Sequence, residues 1–297
     1  MGKRNLLFGL VLFGLTACRH QPSDRQKTIA VTLEPLRYFT EAIAGDRYRV
    51  TSMVPEGAGP ETYDPTPQQL IDLSRSEAYF RIGYIGFELN WMDKLKANAP
   101  HLSVFDTSEG IELIANETSH HARHHGPYIE PHVWNSARNA VIIADNICRA
   151  LCTIDAANKT YYTHRLDSLQ RTIQYTDSVI RVYLQQADSV FLIFHPALSY
   201  FARDYGLTQI AIEHEGKEPS STYLQALVKE GKERRARVVF IQKEFDTRNA
   251  QLIADEMGLS VVQINPLSYR WPEEMIHIAQ SLAHIPQTRW TVDPSSK

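Results

Sequence analysis

Residues 158–186 read NKTYYTHRLDSLQRTIQYTDSVIRVYLQQ, a run of 29 residues without glycine or proline. Within it Leu166, Leu169, Ile173, Ile180 and Leu184 recur every three or four positions, apart from one gap after Ile173. That spacing lays an apolar stripe along one side of a helix. At about 1.5 Å per residue the helix extends over about 40 Å, long enough to lie across two domains. The run is expected to be a rigid spine with one lobe folded on each side of it.

On both sides the pattern alternates short apolar runs with amphipathic stretches. Before the spine, strands are expected at residues 28–33 (TIAVTL), 47–54, 78–83 and 102–106, and helices at 34–44, 67–74, 87–97 and 137–151. Gly45 stops the first of these helices and Pro67 opens the second. Beyond the spine, strands are expected at 190–194, 209–213, 238–242 and 260–264, with helices between them and a last one over 272–283. Such successive β-α steps imply parallel sheets with helices on their faces. The expected fold is α/β, two β/α lobes with parallel four-stranded sheets joined by a long spine helix: an N-terminal lobe over 28–156, the spine over 157–187 and a C-terminal lobe over 188–297.

Composition is that of an ordinary globular chain, with 43% hydrophobic and 22% charged residues. A formal net charge of -3 leaves no basic footprint for nucleic acid. The N-terminus carries Lys3 and Arg4, an apolar run over residues 6–15, and then Thr16, Ala17 and Cys18. Ten apolar residues are too few to span a bilayer core of about 30 Å, but they suit a signal peptide. The LTAC sequence at 15–18 resembles the lipoprotein box, in which cleavage leaves Cys18 as a lipid-anchored N-terminus, followed by a polar tether over 19–27. Of the remaining cysteines, Cys148 and Cys152 share one helix face at a spacing that suits a disulfide poorly. Any metal must then be held by nitrogen and oxygen.

Histidine is concentrated in one place. Five of the twelve histidines, His120, His121, His124, His125 and His132, fall within thirteen positions of the tract ETSHHARHHGPYIEPHVW at 117–134. Imidazole is the commonest protein ligand for zinc and its neighbours, and a tract holding Gly126, Pro127 and Pro131 is expected to form neither helix nor strand. The loop over 117–130 reads as a metal-attracting segment, but clustered histidines alone define no geometry. In open α/β sheets ligands bind beyond the carboxyl ends of the strands. The donor residues at those positions are Glu61, after the second expected strand, His132, after the fourth, His195, directly after residues 190–194, and Asp246, after 238–242. Singly, Glu61 reads as a solvated loop charge, His132 as a core histidine and Asp246 as a helix cap. Jointly they offer two nitrogens and two carboxylates at one cleft, a set suited to Zn2+ or a harder ion such as Mn2+.

Nearly the whole chain beyond the tether resembles the metal-binding receptor lipoproteins of bacterial ABC importers for zinc and manganese, the zinc-receptor/adhesin family. The similarity rests on PEGAGPETYDPTPQQL at 55–70, EPHVW at 130–134, FHPALSYFARDYGL at 194–207, EGKEPS at 215–220 and FIQKEFDTRNAQLIADEMG at 240–258. It implies ligands at His132 and His195 and a carboxylate ligand at Asp246. Where the family usually has histidine before the TY[ED]PTP run, this chain has Glu61, which makes the site harder and more negative. Asn135 and Ser136 stand where an Asp-Pro usually opens the next helix, and either can cap it.

The expected function is capture without catalysis: His120, His121, His124 and His125 collect ions and the cleft holds one for delivery to an ABC permease. Zinc is the expected ion, with manganese or iron as alternatives. A monomer is expected on the periplasmic or cell-surface face of a bacterial membrane, joined to the bilayer through Cys18. Both histidines must be neutral to bind, so affinity is expected to fall as pH drops through about 6.5. A secreted metallohydrolase using His132, His195 and a carboxylate is a rival reading, and an adhesin or metal-storage role another; no HExxH motif is present.

Overall fold

The computed structural model describes residues 26–116, 128–213, 220–245 and 248–284. The N-terminal lobe contains β1 (Thr28–Val31), α1 (Glu34–Ala44), β2 (Arg49–Ser52), α2 (Pro67–Leu73), β3 (Ala78–Arg81), α3 (Gly86–Asn98) and β4 (Ser103–Asp106). A small pair, β5 (Ala115–Asn116) and β6 (Tyr128–Ile129), and the helix α4 (Ala137–Ile154) follow, and the spine α5 runs over Lys159–Leu184. Beyond it come β7 (Val190–Ile193), α6 (Ser199–Tyr205), β8 (Thr208–Ala211), α7 (Ser221–Glu233), β9 (Val238–Gln242), α8 (Arg248–Met257), β10 (Ser260–Ile264) and α9 (Trp271–Leu282).

Both four-stranded sheets are wholly parallel, in the orders β2-β1-β3-β4 and β10-β9-β7-β8. In each, the chain steps outward on one side of its first strand and then crosses to the other. The crevices at which such sheets bind ligands therefore lie between β1 and β3 and between β7 and β9.

The spine earns its length from its apolar stripe: Leu169, Ile173 and Ile180 are buried, and Leu166 and Leu184 pack at its margins. The gap after Ile173 is filled by Thr176, which is buried and satisfies its hydroxyl by donating to Thr172 O at 2.9 Å. Against this stripe pack α1 and α4 from one lobe and α9 from the other. A single apolar cluster runs from Phe39 and Phe80 through Ile173 and Ile180 to Phe191, Phe240 and Trp271. Lobes that share a core in this way do not swing freely, because separating them exposes apolar area at about 25 cal/mol per Å2.

Local signals account for most element ends. Thr66 and Gln69 form a capping box ahead of Pro67, and Ser136 caps α4 by accepting from Asn139 N–H at 3.0 Å. One expectation is corrected. The tract 117–134 was to hold no regular structure, yet Tyr128 and Ile129 pair antiparallel with Asn116 and Ala115, because the residues just ahead of Pro131 are free to extend. Cys148 is buried and Cys152 half-buried, both as free thiols, and burial together with the neighbouring Cys152 pushes the Cys148 thiol up to about 12.

Candidate metal centre

His195 stands directly beyond β7, and the neighbouring strand β9 fixes it there. Gln242, the fully buried last residue of β9, accepts the His195 N–H through Oε1 at 3.2 Å and donates through Nε2 to His195 O. The imidazole Nδ1 faces the Glu213 carboxylate at 3.0 Å, and the Phe245 ring stacks on it with centroids 5.0 Å apart and planes 21° apart. Backbone, ring face and Nδ1 are thereby all held, leaving Nε2 pointed into the cleft.

His132 is braced by the same device in the other lobe's chain. Glu130 Oε1 accepts its backbone N–H at 3.1 Å and also meets its Nδ1. Both side chains are buried, His132 to 5% and Glu130 to 6% exposure. Burial pulls the His132 imidazolium down most, but the Glu130 carboxylate, aided by Glu61 and Glu244, outweighs it and holds His132 above 6.5. For Glu130 the balance is the same: burial raises it, and His132 brings it below 4.5.

The two free nitrogens meet. His132 Nε2 and His195 Nε2 are 3.3 Å apart, with ring centroids at 5.0 Å. When each Nδ1 keeps its hydrogen for its carboxylate, both Nε2 lone pairs converge on one point. That arrangement is unfavourable unless a proton or cation lies between them. Two nitrogens at about 2.0–2.1 Å from a tetrahedral zinc are themselves about 3.3 Å apart. The pair has the spacing of two ligands on one ion.

A cavity of about 270 Å3 opens over this pair, and Glu61, Glu213 and Glu244 line it. Glu61 is exposed on the loop after β2, and its Oε2 accepts Gly86 N–H at 3.1 Å at the start of α3. Phe87 N–H donates to Pro60 O at 2.9 Å beside it, so two bonds dock this loop on the helix end. The docking needs glycine, because a Cβ on Gly86 would sit 2.9 Å from Glu61 O. Larger cavities, about 400 and 580 Å3, lie along the open edge of β2, away from both imidazoles.

Of the expected donors, the structure brings Glu61, His132 and His195 to one cavity. Asp246, the loop histidines His120, His121, His124 and His125, and Cys18 lie outside the described residues. Among the described residues no three His, Cys, Asp or Glu side chains are close enough to hold an ion together. The assembled part is the imidazole pair, with Glu61 turned to Gly86. Four residues of the centre escaped the sequence reading: Glu130, Glu213, Gln242 and Glu244. Glu213 and Glu244 follow strands and were open to the same rule that selected Asp246. Glu130 is two residues from His132, and Gln242 carried no signal.

A two-lobed α/β chain with a fixed spine and paired imidazoles at its cleft defines a binding protein of the spine-helix type. Its described body matches the family model for the zinc-uptake complex component A periplasmic protein over residues 29–284. The chain belongs to that family. A crystal structure of ZnuA superposes with a TM-score of 0.81 at 35% identity, covering 87% of this chain and 98% of that one. The manganese ABC transporter substrate-binding lipoprotein PsaA of Streptococcus pneumoniae is 25% identical over 272 residues, 86% of each chain. The iron ABC transporter substrate-binding lipoprotein MtsA of Streptococcus pyogenes serotype M1 is 27% identical over 282 residues, 88% of each.

Proposed function

We propose that the protein is an extracytoplasmic receptor that captures one divalent transition metal ion, zinc foremost, in the cleft and delivers it to an ABC permease. The observation that carries this reading is the His132–His195 pair, two carboxylate-braced imidazoles with Nε2 atoms 3.3 Å apart. Bracing through Nδ1 fixes the tautomer that binds metal and raises ligand basicity. The chain's family and relatives bear zinc, manganese and iron names, and the imidazole pair favours the borderline ion over the harder ones. The proposal extends to His120, His121, His124 and His125 as a loose collecting loop, and to Cys18 as the lipid anchor of a monomer facing the periplasm or cell exterior.

The test is competition of the purified full chain with a chromophoric chelator for Zn2+, Mn2+ and Fe2+, which counts tight sites and passes over weak ones. One tight zinc per chain, lost in His132→Ala and in His195→Ala, is expected. Preferential retention of manganese or iron would overturn the choice of metal, and a tight site that survives both substitutions would overturn the cleft.

A further inference from the structure

The imidazole pair supplies two donors, and the carboxylates around it are not equally free to supply more. Glu130 and Glu213 are engaged by the Nδ1 atoms of His132 and His195, and Glu61 by Gly86 N–H. Glu244 is different. It lies on the turn that follows β9, closed by Phe245 N–H donating to Gln242 O at 3.3 Å. The same turn stacks Phe245 on the His195 ring, so its position is tied to the ligand it adjoins. Glu244 lines the cavity with both histidines and is half-buried. Among the described residues no other side chain hydrogen-bonds or ion-pairs with its carboxylate, which accepts its own backbone N–H. Its field reaches His132, and both imidazoles act on it in return. An acid that lines one cavity with two convergent nitrogen lone pairs, bonded among the described residues to its own backbone alone, has the chemistry of a third donor.

We infer that Glu244 is the carboxylate that the C-terminal lobe contributes to the captured ion, facing the His132–His195 pair from the turn after β9. This rests on the receptor reading above and deepens it: the ion would meet the two assembled nitrogens first and one oxygen once the Glu244 side chain turns onto it, with Glu61 on the opposite loop. It also makes Glu244 a determinant of selectivity. A second carboxylate hardens the site, so its removal should weaken manganese binding more than zinc binding.

The test compares the full chain with Glu244→Gln, Glu244→Asp, Asp246→Asn and His195→Ala, using zinc–chelator competition and the visible absorption of one bound Co2+. Thermal unfolding without metal serves as the folding control. Glu244→Gln is expected to lose zinc affinity by about 100-fold, the upper end of what even outer partners of a metal contribute. Its Co2+ bands should change in intensity, because one protein donor gives way to water. Glu244→Asp should recover part of both, and the loss in Glu244→Gln should exceed any in Asp246→Asn. Wild-type affinity and an unchanged Co2+ spectrum in Glu244→Gln would overturn the inference, as would loss of the Co2+ signature in Asp246→Asn alone. Failure of the receptor reading itself looks different: wild type would hold no tight zinc, or His195→Ala would keep it.

Discussion

Replacing Glu130 by glutamine tests whether the carboxylate brace prepares His132 for metal. The substitution keeps the shape, and the amide oxygen still accepts from the His132 backbone N–H now bonded at 3.1 Å. What it removes is the charge beside Nδ1. A hydrogen bond to a charged acceptor contributes about 1.5–3 kcal/mol, against about 0.5–1.5 for a neutral one. The difference of about 1–2 kcal/mol corresponds to roughly 5–30-fold in zinc affinity, within the span expected for outer partners of a metal. Because His132 is 5% exposed, solvent does not screen the change away.

The pH dependence gives the sharper test. Glu130 holds the metal-free His132 above 6.5, so protons compete with zinc in the wild type from a higher pH than in the variant. The affinity ratio between them should be largest above neutrality and shrink as pH falls. In the metal-free protein the linkage runs as follows. His132, raised in the folded state, contributes stability that is full below 6.5 and is lost as pH rises through its folded value. Glu130, lowered in the folded state, contributes above 4.5 and loses its contribution as pH falls through its folded value. The pair therefore stabilises the metal-free protein most between about 4.5 and 6.5. Chelator competition from about pH 6 to 8, with denaturant unfolding of the metal-free protein from about pH 4 to 8, checks both. An affinity ratio independent of pH would refute the reasoning.

Gln242→Leu should leave the backbone N–H of His195 without a partner, while His195 O keeps the Ala197 N–H at 2.7 Å, costing about 1–3 kcal/mol and lowering the unfolding temperature of the metal-free protein measured by calorimetry. Glu88 is buried, accepts from Thr32 Oγ1 and from Ile82 N–H at 2.9 Å, and is pushed by burial to about 7. The folded state thus keeps a proton that the unfolded chain releases, and stability should fall as pH rises from 4.5 to about 7. Glu88→Gln should flatten that slope in urea titrations at pH 5 and 8. Gly86→Ala, whose Cβ would meet Glu61 O at 2.9 Å, should displace the Glu61 loop and cut zinc affinity by about 10-fold, while the Co2+ spectrum still reports both imidazoles.

The architecture was legible because its signals are local. A 29-residue run without breakers can only be a long helix, and Gly45, Pro67 and the apolar runs TIAV and VFLI punctuate the lobes where the structure does. His195 was legible because it stands just beyond a strand of a parallel sheet, and His132 through the EPHVW motif, since it follows the small antiparallel pair and no parallel strand. The braces were not, since they depend on distance across the fold: Glu213 reaches His195 from β8's far end, 18 positions on, and Gln242 reaches it from 47. No periodicity reports a side chain that turns back onto a neighbouring strand's backbone. Glu244 follows β9 as Asp246 does, and its place on the cavity wall rests on the turn that stacks Phe245 on His195, which no sequence pattern reports.

Sequence position also misleads about which parts move together. His132 belongs to the N-terminal half of the chain, yet its segment is fastened to the C-terminal lobe. Tyr200 donates to Glu130 O at 2.9 Å, Asn135 to Ala197 O at 3.0 Å, and Trp134 to Pro266 O at 2.8 Å. Trp271 completes the clamp by donating to Trp134 O at 2.7 Å, and both tryptophans are buried. His132 and His195 are therefore one mechanical unit. Glu61 is attached to the other lobe, through Gly86 and Phe87. A hinge that parts the lobes has to break the shared core and the tryptophan clamp, whereas displacing the Glu61 loop breaks two hydrogen bonds. For the receptor proposed above, these attachments predict that the imidazole pair stays assembled on release and that the ion leaves on the side of the Glu61 loop. The Gly86→Ala experiment bears on this directly, because it perturbs the loop and leaves the pair untouched.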